Sequence, residues 1–400
     1  MHPFIALGHA LRARGHDVTV VTSAYFDELI RREGLRSAPV GTAEDFDRVT
    51  HDARVWRPYT GFFHLIRHIA PTLRPALAAL DGLHEPSRTV VAAPLMLAAA
   101  ARLFCEARGV PLATIHLQPM AFLSLQQPPS SLSWVHSRTP MALRRLILRL
   151  ADWGVDRAIG GELNALRREL GLPPIKRALT SWATSPDRVI GLFPSWFAPP
   201  APDWPPQTVL TGFPLYDQSA SAAVPEALER FLQAGEPPIV FTPGSANRFG
   251  HHFLRAGVEA CRHLGRRGLL LARHIEQVPP GLPTDVPHFD YAPLSRVLPR
   301  AAALVHHGGI GTVAQGLAAG VPQLIMPTAF DQPDNAARLR SLGVGSSLAP
   351  GRFHGPAVAR ELEQLLESEE VACRCREAAR RMREGYPLEE ACDLIEALGG

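Results

Sequence analysis

Short runs of β-branched and aliphatic residues alternate with longer helical stretches along nearly the whole chain, and this alternation narrows the fold more than any other feature. Asp17-Val-Thr-Val-Val-Thr-Ser23, Arg88–Ala93, Pro111–His116 and Arg188–Phe193 read as buried strands. Ile5–Arg14, Met141–Arg157 and Glu162–Leu170 read as helices, the first closed by Gly15. Parallel strands need a long crossover, which a helix supplies, so strand–helix alternation predicts a parallel sheet covered on both faces. A proline-dense stretch, Pro194–Pro214, interrupts the pattern and reads as irregular chain. The small, polar segment Asp217–Val224 follows it. The alternation then restarts with Pro238–Thr242, Gly268–Ala272, Ala302–His306 and Gln323–Met326. The fold class this predicts is α/β, with two Rossmann-like domains facing across a ligand cleft. The expected boundaries are 1–216, a linker 217–236, 237–385 and a C-terminal helix 386–400.

A length of 400 residues fits two domains, and 46% hydrophobic residues with 20% charged fit a globular chain. The formal net charge of +3 gives no case for a nucleic-acid partner. Five scattered cysteines contain no CxxC, so a disulfide framework or paired zinc spacing is not expected, and Cys373 and Cys375 read as ordinary helix residues. No apolar run reaches the roughly 18–20 residues of a membrane span, and the N-terminus reads as no signal peptide. A cytoplasmic location is the expectation.

The segment most informative about chemistry is Val305-His-His-Gly-Gly-Ile-Gly-Thr-Val-Ala-Gln-Gly-Leu-Ala-Ala-Gly-Val-Pro322. A strand enters a glycine-rich turn that opens a helix, where Gly308, Gly309 and Gly311 let the backbone approach a ligand. Thr312 falls near the helix N-terminus, which favours an anion, and His307 stands at the mouth of the turn as a donor to a phosphate. A tight packing turn has the same appearance. The segment is neither a GxxxxGK[ST] loop nor a GxGxxG fingerprint. Asp331-Gln332, just beyond the next strand, pairs a carboxylate with an amide suited to sugar hydroxyls, although such a pair in a loop is commonly a solvated turn.

Together, His307-Gly-Gly-Ile-Gly-Thr312, Gly320-Val-Pro322, Asp331-Gln332 and Asn335-Ala-Ala-Arg338 resemble the donor-site signature of family 1 glycosyltransferases of the GT-B fold. Tyr291-Ala-Pro293 matches the turn whose aromatic stacks the nucleotide base, and Phe241-Thr-Pro-Gly-Ser245 matches the loop beside the diphosphate. The resemblance implies that Ser245, His307, Gly308, Gly309, Gly311 and Thr312 hold the diphosphate, Tyr291 and Ala292 the base, and Asp331 and Gln332 the sugar. It implies an inverting hexosyltransferase with neither metal nor cofactor, the nucleotide-sugar being a substrate. The chain's one Asp-x-Asp, Asp45-Phe-Asp47, reads as surface charge in a loop. Leu192–Pro200, Asp203-Trp204 and Leu210–Leu215 look like the rhamnosyltransferases of rhamnolipid synthesis and, more distantly, sterol glucosyltransferases. That implies dTDP-rhamnose and a hydrophobic hydroxyl acceptor, with peripheral membrane contact if the acceptor is a lipid. Gln315 occupies the place where many members have a ribose-binding Glu, which leans toward dTDP over UDP.

In the resembling family a strand and a glycine turn precede the first helix, and the catalytic base lies three residues before a proline. Counted from Pro3, that position precedes Met1, so the first strand and the base are expected to be missing from the sequence as it stands. His2, one residue before the proline, is the alternative base. Two other functions stay open on this reading: an epimerase on the same fold, and a non-catalytic nucleotide-sugar-binding partner. His116 reads as a satisfied loop histidine, or else as one facing the acceptor. His251-His252 opens a helix, and Phe62, Phe63, Leu65, Ile66 and Ile69 read as core or as an apolar groove.

Overall fold

The computed structural model describes residues 1–57, 60–95, 98–130, 139–217, 224–244 and 250–399. They form two compact units, Met1–Pro214 with Gly385–Gly400, and Leu215–Glu384. The strands are β1 (Thr19–Ser23), β2 (Arg36–Val40), β3 (Val91–Pro94), β4 (Leu112–His116), β5 (Arg188–Gly191), β6 (Thr208–Leu210), β7 (Ile239–Thr242), β8 (Gly268–Leu271), β9 (His288–Phe289), β10 (Ala303–His306), β11 (Gln323–Ile325) and β12 (Gly345–Ser347). The helices are α1 (His2–Ala13), α2 (Asp27–Arg32), α3 (Ala43–His51), α4 (Gly61–Ile69), α5 (Leu73–Leu83), α6 (Ala99–Arg108), α7 (Met141–Glu169), α8 (Glu226–Gln233), α9 (His251–Leu264), α10 (Leu294–Val297), α11 (Ile310–Ala319), α12 (Gln332–Leu342), α13 (Gly355–Glu367), α14 (Glu369–Arg381) and α15 (Pro387–Glu396). Among the described residues no helix is long and apolar enough to cross a membrane.

In the first unit every strand pairs in parallel, but in two sheets, β1–β2 and β3–β4–β5–β6. β1 was expected to be buried, yet all five of its residues are half-buried. Among the described residues it has one neighbouring strand, β2, where a central strand has two. The helices expected at Met141–Arg157 and Glu162–Leu170 are one continuous helix, α7. Gly160 and Gly161 each cost about 1 kcal/mol relative to alanine there. Val155, Ile159, Leu163 and Leu166 form one buried stripe across them and hold the helix together. Buried Arg167 adds a bidentate pair to Glu106 of α6, at 2.7 and 2.8 Å. The proline-dense stretch contains a strand after all: β6 pairs on the sheet edge with β5, where a strand beside prolines is tolerated. Asp45 and Asp47 lie in α3 and not in a loop, with Asp45 closing a capping box with Thr42. Ile66 is core, and Phe62, Phe63 and Ile69 pack against it. α15 belongs to this unit: Ala391, Cys392 and Ile395 pack with Leu7, Ala113, Ile115 and Ile190, and Arg14 bonds Asp393 and Glu396.

The second unit is one six-stranded parallel sheet in the order β12-β11-β10-β7-β8-β9. Alternation with period two buries both faces. Ile239, Phe241, Leu270 and Val305 pack toward α9 and α13. Val240, Leu269 and Leu304 pack toward α8 and α10. Leu228 and Leu232 of α8, from within the span 217–236, are part of that core. Cys373 and Cys375 lie on α14.

Candidate functional site

The order of the second sheet locates the site. The chain steps from β7 to β8 on one side and crosses to β10 on the other, so the topological switch point lies between β7 and β10. Ligands of open α/β sheets bind outside the strand C-termini at such a point. The two turns that leave these strands are both glycine turns. Gly244, after β7, has φ +92°, and a Cβ there would stand 2.6 Å from the His307 ring. Gly308, after β10, has φ +97°, and its Cβ would stand 2.8 Å from Ile325. Neither position accepts another residue without strain.

The adjacent histidines part company as strand alternation requires. His306 is fully buried. Its Nδ1 accepts from the Gly308 N–H at 3.1 Å and its Nε2–H donates to Gln323 Oε1 at 3.0 Å, while Gln323 Nε2 donates to Val313 O. This relay holds the glycine turn to β11 and α11. His307 points the other way, into the angle between the two turns, and its buried Nδ1 has no partner. Burial pushes its pKa down to about 4, so the ring is neutral near pH 7 and carries one N–H to offer.

α11 starts at Ile310, directly after the turn. Gly311 is exposed in its first turn with nothing within 4 Å of where a Cβ would be, and Thr312 is half-buried. Asp331 comes up against this helix end from the N-cap of α12. Burial pushes its pKa up to about 6, opposed by hydrogen bonds from Asn335 and from the Ile310 N–H. Asn335 is the joint of the site. Its Nδ2 donates to Gly308 O at 2.9 Å and to Asp331 Oδ2 at 2.7 Å, tying turn and carboxylate together. Gln332 is partly engaged within its own loop. Its Oε1 accepts from the Thr328 N–H and hydroxyl and from the Ala329 N–H, so only its amide nitrogen is left for a ligand. It braces the loop in which Phe330 takes a left-handed φ of +56°.

Tyr291 and Ala292 follow β9 on the same C-terminal edge of the sheet. Tyr291 is 42% exposed and its hydroxyl donates to Asp217 O, while Ala292 is buried. The Asp217 carboxylate accepts from the Ser295 N–H and hydroxyl and so pins the turn. Thus His307, Gly308, Gly309, Gly311, Thr312, Asp331, Gln332, Tyr291 and Ala292 all lie on this edge. Ser245 lies outside the described residues. His2 is the first helical residue of α1, in the other unit.

Neither Asn335 nor His306 has a role legible in the sequence. The His-His doublet at a strand end was the available signal, since alternation sends one ring inward and one outward. His116 also departs from its expected reading. It is fully buried at the end of β4, 4.3 Å from the Phe122 ring, and both ring nitrogens lack a partner, so it is not a satisfied loop histidine. Among the described residues no three His, Cys, Asp or Glu side chains are grouped to hold a metal.

A parallel sheet in this order, with a glycine turn and helix N-terminus at its switch point and a carboxylate beside them, is the arrangement in which open α/β sheets take anionic ligands. Residues 270–395 match the model of the erythromycin biosynthesis protein CIII-like C-terminal domain. The chain is 32% identical over 424 residues to the O-mycaminosyltylonolide 6-deoxyallosyltransferase of Streptomyces fradiae, covering 99% of this chain and 94% of that protein. The solved glycosyltransferase of kitacinnamycin superposes with a TM-score of 0.75 at 23% identity, over 100% of this chain and 96% of that one. The spinosyn rhamnosyltransferase SpnG complexed with thymidine diphosphate superposes with a TM-score of 0.68 at 18% identity, with the same coverage. The chain belongs to the family 1 glycosyltransferases of the GT-B fold.

Proposed function

We propose that the chain transfers a 6-deoxyhexose such as rhamnose from a thymidine-diphosphate sugar to a hydroxyl of a hydrophobic acceptor, with inversion and without a metal. The observation that carries this reading is the neutral, half-open His307 at the switch point, beside the N-terminus of α11 and the Gly308 turn. The donor would lie along the sheet edge. Tyr291 is on the β9 side and Asp331 on the β11 side, four strand spacings of ~4.8 Å apart, or about 19 Å, with the diphosphate between them at β7 and β10.

The acceptor oxygen gives its proton to a base and attacks the anomeric carbon, while the bond from that carbon to the diphosphate oxygen breaks. The departing diphosphate gains negative charge, which the His307 N–H and the first-turn N–H groups of α11 receive. These donors do the work a metal would do in the same place. Asp331 would take sugar hydroxyls as acceptors, and Gln332 would offer its amide N–H. Buried Gln315 in place of a carboxylate supports a deoxyribose nucleotide, as does the thymidine diphosphate complex of SpnG, and the 6-deoxyallosyl group named in the Streptomyces fradiae relative supports a 6-deoxyhexose.

The test is product formation, read by mass, from dTDP-rhamnose, dTDP-glucose and UDP-glucose with a macrolactone aglycone and a 3-hydroxy fatty acid, each with and without EDTA. Faster transfer from UDP-glucose than from either dTDP sugar, or loss of transfer with EDTA, overturns the reading. His307→Ala should lower kcat/KM by about 10²–10³ with little change in melting temperature. Unchanged kcat in His2→Ala discards His2 as the base.

A further inference from the structure

The first half of α7 presents an apolar stripe to solvent. Nine large apolar side chains are exposed among the described residues, and five of them lie between Met141 and Trp153. Leu143, Leu146, Leu150 and Trp153 are 41, 50, 57 and 61% exposed. Their spacing of three, four and three residues puts them on one face, running about 15 Å along the helix. The core-facing side of α7 is separate, since Val155, Ile159, Leu163 and Leu166 are buried.

Charge decides what this stripe fits. Arg145, Arg149 and Arg157 are exposed beside it, and the Arg157 guanidinium lies 5.5 Å from the Trp153 ring centroid. Among the described residues neither Arg145 nor Arg149 is in an ion pair. Both acids of this half-helix are engaged elsewhere: Asp152 is buried and accepts from Thr180, and Asp156 accepts from the Arg177 and Ala178 N–H groups at 2.8 and 2.9 Å. The face is therefore apolar and cationic, with no exposed carboxylate. A second copy of the chain fits it poorly. A two-fold contact would set arginines against arginines, and four side chains fall well short of the ~800 Å² per partner of a stable interface.

We propose that this face of α7 docks the protein on an anionic lipid bilayer, with Leu143, Leu146, Leu150 and Trp153 entering the headgroup boundary and Arg145, Arg149 and Arg157 at the level of the phosphates. The full chain is sedimented with phosphatidylcholine vesicles and with vesicles containing roughly one-third phosphatidylglycerol. Binding to the anionic vesicles should be at least about tenfold stronger and should weaken as salt rises from about 0.05 to about 0.5 M. R145Q/R149Q should weaken it by about fivefold per arginine, and L146Q/L150Q should abolish it, with circular dichroism and melting temperature unchanged in both. Failure to bind anionic vesicles, equal binding to neutral ones, or native binding by both variants overturns the proposal. So does a concentration-dependent dimer, measured by analytical ultracentrifugation, that L146Q/L150Q dissociates, because it gives the face to a second copy.

Discussion

Replacing Asp331 with asparagine should make the protein more stable and a poorer transferase. Burial holds this carboxyl at about 6, against 3.8 for a free aspartate. Because the folded pKa lies above the unfolded one, the folded state keeps a proton that the unfolded state has released. Asp331 therefore weakens the fold progressively as pH rises from about 4 to about 6, and the full penalty stands above that range. A shift of two pH units corresponds to about 3 kcal/mol. The asparagine carbonyl replaces one of the carboxylate's two neighbouring hydrogen bonds, from Asn335 and Ile310, and forfeits about 1 kcal/mol of the gain. The net expectation is a stabilisation of about 2 kcal/mol at pH 8, or roughly 4–8 °C, which crosses zero near about pH 4.5 and turns into a slight destabilisation at pH 4. Scanning fluorimetry of both proteins from pH 4 to pH 8 reads the difference. In the same variant kcat/KM should fall by about 10² if the carboxylate takes the sugar. A variant less stable than the native protein at pH 8, or one offset by the same amount at every pH, refutes the reasoning.

Burial pushes His116 down to about 3, so its fold contribution is intact above the unfolded value near 6.5 and is lost by about 1.4 kcal/mol per pH unit below it. His116→Phe should keep more of its pH 7 melting temperature at pH 5 than the native protein does, by about 2 kcal/mol; parallel melting curves would refute this. Asn335→Ala removes the donor shared by Gly308 O and Asp331, so the donor KM should rise more than kcat falls, and the Asp331 pKa should move up. Titration of the acid limb of kcat/KM shows that shift, and an unmoved limb would count against it.

The second unit was largely legible in the sequence. β7, β8, β10 and β11 coincide with apolar runs because a parallel strand buried on both faces keeps its few polar residues to its ends, as with His306 and Gln323. The glycine turn was legible for a related reason, since positive φ and close approach admit few residues. β2, β9 and β12 were not: they are two to five residues long and carry no sustained apolar run. α7 was read as two helices because local propensity at Gly160-Gly161 argues for a stop, whereas a buried stripe and the Arg167–Glu106 pair argue for continuation.

The sequence by itself determined the class of fold, the position of the glycine turn and the residue types around it. These rest on periodicity, glycine sterics and chemistry that neighbouring residues share. Only the tertiary structure decided that His306 ties the glycine turn to β11, that the Gln332 carbonyl is already taken, and that Asn335 joins the turn to Asp331. The bonds that join Asn335 to Gly308 and His306 to Gln323 span 27 and 17 residues, while those of Gln332 and of Asn335 to Asp331 close within three or four. A hydrogen-bonding group has no preference among such partners until packing removes water and leaves one within reach.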